Sequence, residues 1–213
     1  MFRMCIVLCL ALLAGCQKDQ GNEFSKYHED GRVKPVVAVV PVIDSSSFEM
    51  PWSLSDEMTS LIRKKMSSKE TLFVPSSEEL HSISYSNEPF GADISWVAQN
   101  YEPNEFIVFL EFLDHQTVPE NAANADQERT SKSINMTARI RVIDIRSKTV
   151  KIVLQETLTD SYFISKNILP INYEISGWGT DDYKTTPLAM AHIQIAKKIV
   201  ERINDYVLIA KSR

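Results

Sequence analysis

Cysteine is scarce and confined to one end of the chain. The 213 residues hold three, Cys5, Cys9 and Cys16, and none beyond position 16. That placement excludes a disulfide framework and a cysteine-built zinc site from the body of the protein. A chain of this length can bury enough apolar surface to fold without either. Glycine is also sparse. After the first sixteen residues there are Gly21, Gly31, Gly91, Gly177 and Gly179. None belongs to a phosphate-cradling loop or to the strand-to-helix turn that exposes a nucleophilic serine. The four histidines, His28, His81, His115 and His192, include no pair four residues apart, so no HExxH metal motif exists. No Ser-x-x-Lys is present. Positive charge is in deficit, with a net charge of −5. Such a chain lacks the electrostatic footprint of a nucleic-acid binder. Beyond the first thirteen residues no apolar run approaches the length of a membrane span.

What is present at the start is a leader. Arg3 precedes an apolar stretch from Ile6 to Leu13, too short to cross a bilayer and of the length of a secretory signal. It ends in Leu13-Ala14-Gly15-Cys16 and turns polar at once. This stretch resembles the bacterial lipobox. The resemblance implies removal of residues 1–15 between Gly15 and Cys16 and acylation of Cys16. The anchor is then two or three acyl chains, against the marginal binding of one. Gln17, where an Asp would hold such a protein in the inner membrane, implies the outer membrane, facing the periplasm. The leader's loss removes Arg3 and all free thiols. Residues 17–34 are mostly polar and without periodicity, and are read with Cys16 as a tether (16–34). Stretched, it reaches at most about 60 Å; as a flexible coil it spans about 20–25 Å.

The remaining span, 35–210, is expected to be a single globular domain of the α/β (α+β-like) class. "VVAVVPVI" (36–43) is a β-branched run that predicts a strand buried on both faces, weakened at Pro41. Leu54, Met58, Leu61, Ile62 and Met66 recur at helical spacing, with Ser53 as N-cap. "TLFVP" (71–75) reads as a short strand. Ser76 and Glu79 match a capping box opening a short helix, and a further helix is expected over 92–101. "EFIVFLEFLDHQTV" (105–118) is a long strand. After a polar loop, Ile134, Met136, Ala138, Ile140 and Val142 alternate with Asn135, Thr137, Arg139 and Arg141. Strict alternation predicts one buried and one wet face, which puts both arginines in solvent. "VKIVLQETLT" (150–159) completes a hairpin. Residues 160–184 read as a long irregular loop, and Thr186-Pro187 opens a final helix with Leu188, His192, Ile195, Ile199, Ile203 and Tyr206 on one stripe. The expected order is β-α-β-α-(α)-β-β-β-α around a mixed sheet of about five strands.

Three segments carry a resemblance: "VVAVVPVID" (36–44) with its following helix, "EFIVFLEFL" (105–113), and "ARIRVIDIRSKTVK" (138–151). They look like the fold shared by the periplasmic domain of the curli-secretion channel, the lipoprotein activators of penicillin-binding proteins, and the N-terminal domain of the Tol-Pal translocation protein. The resemblance covers roughly 36–207. It implies assembly and interaction within the cell envelope rather than catalysis.

Candidate functional residues gather in the 160–184 loop. Trp178 stands between two glycines beside Tyr183. An aromatic presented on flexible backbone suits binding, although the same ring can instead tuck under the loop and close the core, the weightier reading. Trp52, in the first strand-to-helix loop, poses the same choice. Asp181 and Asp182 could serve a cation or a base, but no partner carboxylate can be placed beside them. His192, on an apolar stripe, reads as a satisfied, partly buried side chain. No cofactor, metal or catalytic residue is expected. The function expected is a lipid-anchored, non-catalytic protein–protein interaction or assembly module of the envelope, held to the membrane through Cys16 with envelope proteins as partners and no nucleic acid. The alternatives are an envelope enzyme or ligand carrier using the 160–184 loop, and a ring-forming secretion component.

Overall fold

In a computed structural model, the described residues are 25–76, 87–120 and 130–213. The lipobox, His81, most of the 119–131 loop and the helix expected after Ser76 lie outside them. The β-branched run forms two short strands, β1 (Val37–Val39) and β2 (Ile43–Asp44), both parallel to β3 (Phe106–Pro119). Val39 faces Val108 and Ile43 faces Glu111, so one side advances a residue further than the other. Pro41 lies in that interruption, exposed, because it has no N–H to give to a ladder. β3, β4 (Lys132–Asp144) and β5 (Lys151–Ile164) form an antiparallel meander, and the sheet order is β1-β3-β4-β5 with β2 also on β3. Among the described residues the fold is a single mixed α/β domain with a five-stranded sheet and three α-helices, the class expected.

The continuous apolar run is explained by two cores. Val37 and Val39 face a large core with Phe106, Val108 and Leu110; Ala38 and Val40 face a small one with Ile107 and Phe109. The large core is covered by α1 (Leu54–Ser67) and α3 (Pro187–Lys211), the small one by α2 (Ser95–Tyr101) through Val97 and Tyr101. Ile134, Met136, Ala138, Ile140 and Val142 are all buried in the large core, as their alternation predicts. Both main helices start where the caps place them. Ser53 accepts from the Asp56 N–H, and Thr186 from the Ala189 N–H ahead of Pro187.

Four expectations are corrected. "TLFVP" contributes one bridge, Phe73 opposite Val36, and no strand. The helix expected from 92 begins at Ser95. β5 runs on to Ile164, so the loop after it is shorter than read. Arg139 and Arg141 do not project freely into solvent. The second face of the sheet is covered by the 89–101 segment, whose own pattern was too short to announce it. Arg141 is 4% exposed and donates to the carbonyls of Pro89, Phe90 and Gly91 and to Gln155. Arg139 pairs with Glu111 and stacks on the Phe90 ring.

The topology separates two ends. Val36, Phe106, Asp144 and Lys151 share one, where α3 also finishes: Lys211 reaches Glu105, and Arg146 reaches the Ala210 carbonyl. The other gathers the β2–α1 loop, Pro119, Lys132 and the segment between β5 and α3. Every core residue lies between Val37 and Val207. Among the described residues no helix is long and apolar enough to cross a membrane.

Candidate functional site

At the second end, a carboxylate and two histidines are buried together. Glu57 is set in the first turn of α1, where a negative charge suits the helix dipole. It also falls on the inward stripe, three residues after Leu54, and is 3% exposed. His192 projects from α3 and His115 from β3, at 0% and 1% exposure. The His192 Nδ1 lies 2.8 Å from Glu57 Oε1, and its Nε2 lies 3.1 Å from the Nε2 of His115. Tyr183 donates its hydroxyl to Glu57 Oε1 at 2.6 Å, and Trp52 donates its indole N–H to Oε2 at 2.8 Å. Tyr183 sits in the 3-10 turn Asp182–Thr185 that leads into α3. One carboxylate thus ties together α1, α3, the β2–α1 loop and the segment before α3.

Burial alone would raise the Glu57 pKa. The hydrogen bond and charge of His192, with the Tyr183 and Trp52 bonds, outweigh it and hold the carboxyl below its ordinary value. Burial, and then the neighbouring His192, push the His115 pKa down to about 3, against a smaller opposing pull from Glu57. His115 is therefore neutral at physiological pH. Burial and Glu57 raise the Tyr183 phenol, which stays protonated and can donate. One proton must lie between the two Nε2 atoms. The Nδ1 of His115 has no hydrogen-bond partner among the described residues, and the Phe48 ring stands edge-on to the imidazole at 4.1 Å between centroids.

This arrangement resembles the parts of an acid–base site, with the His192 Nε2 taken by His115. Through Tyr183 the cluster also ties the chain that follows β5 to α1. Trp52 stacks edge-on against Tyr183 and Tyr173. Gly177 lies so close to it that a Cβ would stand 2.8 Å from the Trp52 ring and 2.7 Å from the Tyr173 carbonyl oxygen. Gly179 has φ +97°, a conformation that glycine adopts without strain. The two glycines therefore have separate reasons, and between them Trp178 is turned outward. It is 40% exposed and walls a cleft of about 340 Å³ with Leu61, Lys64 and Ile193, on whose floor lie Glu57 and Tyr183 of the cluster.

The expected site residues divide accordingly. Tyr183 and Trp52 are tucked in and belong to the cluster. Trp178 does not close the core, contrary to the weightier reading of its surroundings. Asp181 is exposed and pairs with Lys184, and Asp182 is exposed at the start of the 3-10 turn. Gly15 and Cys16 lie outside the described residues. His192 is the satisfied, buried histidine expected. Glu57 and His115 were not singled out by sequence. Glu57 carried one usable signal, a carboxylate on an apolar stripe. Further exposed apolar side chains collect in the same segment: Phe163, Ile168, Leu169 and Ile175, with Leu169 82% and Ile175 73% exposed.

Residues 23–211 match a family of unknown function, DUF7499. This chain belongs to DUF7499. The match takes in the buried cluster and the whole segment between β5 and α3. Among solved structures, the DUF7499 chain is similar to hypothetical protein CT253 from Chlamydia trachomatis, with 28% identity and a TM-score of 0.67 over 82% of this chain and 98% of that one. It is more distantly similar to lipoprotein GNA1162 from Neisseria meningitidis (12% identity, TM-score 0.39, 80% of this chain and 99% of that one). A minor lipoprotein from Acinetobacter baumannii stands at 10% identity and a TM-score of 0.42, over 81% and 92% of the two chains. No curated protein matches it.

Proposed function

We propose that this DUF7499 protein is a lipoprotein, anchored through Cys16 in the outer membrane and facing the periplasm, that works as a non-catalytic protein-interaction module of the cell envelope. The observation that carries the interaction reading is the group of exposed apolar side chains from Phe163, near the end of β5, to Trp178, in the stretch that Tyr183 ties to Glu57 at its far end. Large apolar groups exposed together suit a protein partner. The leader and Leu13-Ala14-Gly15-Cys16 support the anchor, and Gln17 supports the outer membrane. Anchoring supplies the mechanism: confinement to a surface raises the effective concentration of the module near its partners. The burial of both histidines, with the His192 Nε2 turned to His115, favours this reading over an acid–base enzyme.

Two measurements test it. Intact mass and membrane fractionation of the native protein and Cys16→Ala report the anchor: loss of residues 1–15, added acyl mass, and release of the variant are expected. A photo-crosslinking residue at Leu169 or Ile175, in cells, reports the partner. Discrete protein adducts from these positions and not from Lys148 are expected. Unlipidated native protein would end the anchor reading, and equal or absent adducts at all three positions would end the interaction surface.

A further inference from the structure

The end of the domain where the chain enters carries a basic corner whose chemistry fits a membrane. The β4–β5 turn presents Lys148 and Lys151, and Arg213 follows α3 on the same end; all three are exposed. The neighbouring acids are already engaged, Asp144 by Arg146 and Glu105 by Lys211. On a protein whose overall charge is −5, Lys148, Lys151 and Arg213 make no ion pair among the described residues, although Lys151 lies near enough to Asp144 to help hold its pKa down. Of the exposed acids toward this end, Glu29 and Glu70 lie on the β1 side of the sheet, Glu102 precedes β3, and Asp205 stands one turn before Ile209 on α3. Between the cations is a cleft of about 600 Å³ whose wall includes Tyr206 and the exposed Ile152 and Ile209. Cations surrounding exposed aliphatic side chains match anionic headgroups and the acyl boundary just beneath them.

We infer that this corner docks on the anionic phospholipid surface beside the anchor. The inference rests on the anchor reading for its geometry. Residues 25–34 fold back at this same end, where the Lys34 N–H bonds the Lys26 carbonyl and Val36 meets Phe73. From Cys16 to Ser25 the chain spans at most about 32 Å, so this end is the one held near the bilayer. Attraction to a charged surface fades over about 8–10 Å. Only cations at this end can contribute, and the mild negative charge elsewhere does not oppose them. α3 is roughly 37 Å long at 1.5 Å per residue. Docking by its C-terminal end stands Trp178 and the Phe163–Ile175 row at the far end, turned toward the compartment.

The test uses residues 25–213, which contain both cores complete and carry neither leader nor Cys16, so binding is independent of acylation. Cosedimentation is measured with vesicles of phosphatidylcholine alone and of phosphatidylcholine with 30 mol% phosphatidylglycerol. Binding to the anionic vesicles only, reversed by salt, is expected. Lys148→Glu/Lys151→Glu should weaken it at least about tenfold. Lys132→Glu/Lys166→Glu, with the same charge change at the other end, should leave it unaltered. Circular dichroism melts confirm that each variant is folded. Absence of binding by the native sequence overturns the inference, as does equal loss in both variants. Failure of the anchor reading registers separately, as native protein without acyl mass.

Discussion

Replacing Glu57 by leucine tests the buried cluster most directly. The change keeps the volume approximately and removes the acceptor that three donors share. Tyr183, Trp52 and His192 lie at 2.6, 2.8 and 2.8 Å from its oxygens. Breaking a buried ion pair by deleting one partner costs about 3–5 kcal/mol. Some of that is recovered. Tyr183 can turn to the His192 Nδ1, 3.1 Å away, and half-buried Trp52 can reach water. The net loss expected for Glu57→Leu is about 3–4 kcal/mol at pH 7, which for a domain of this size lowers the melting temperature by roughly 6–16 °C. Glu57→Gln should cost roughly half as much, because an amide can accept from Trp52 and donate to Tyr183 or a neutral His192. Urea unfolding followed by tryptophan fluorescence supplies both numbers. Tyr183→Phe is expected to cost about 1–2 kcal/mol more with Glu57 present than with leucine, that difference being the coupling. A Glu57→Leu cost below about 1 kcal/mol, or no coupling, would refute the clamp.

Stability should also fall as pH drops from 7 toward 3. His115 is depressed from 6.5 to about 3 by burial; its contribution is complete above about 6.5 and is lost progressively below, because the unfolded chain takes up the proton first. Glu57 acts in the same direction, over the range below its ordinary 4.5. The urea midpoint of the native protein is expected to decline across that window, and a flat profile would contradict the buried neutral His115. Arg141→Met should cost about 2–4 kcal/mol by leaving the carbonyls of Pro89, Phe90 and Gly91 without their donor. It should open the 87–94 segment to limited proteolysis, and unchanged protection there would refute the assignment.

The division between sequence and tertiary structure follows the range of the forces involved. Local signals were legible: Ser53 and Thr186 as caps, the period-two face of β4, the break at Pro41, the β4–β5 hairpin. Each depends on residues a few positions apart, so the sequence alone determines it. The proposed address rests on equally local residues, Leu13 to Cys16. What only the tertiary structure decided involves partners far apart in the chain. Arg139 and Arg141 alternate as a wet face should, yet a segment some fifty residues away covers Arg141. Glu57 reads as an ordinary first-turn acid until His192, 135 residues on, closes on it. Trp178 and Trp52 were equivalent candidates by pattern. The folded loop separates them: it lays the Gly177 backbone against the Trp52 ring and leaves Trp178 40% exposed. A buried charge, a covered sheet face and an outward aromatic are each decided by what packs against them. That is a property of the assembled core, which local spacing does not contain.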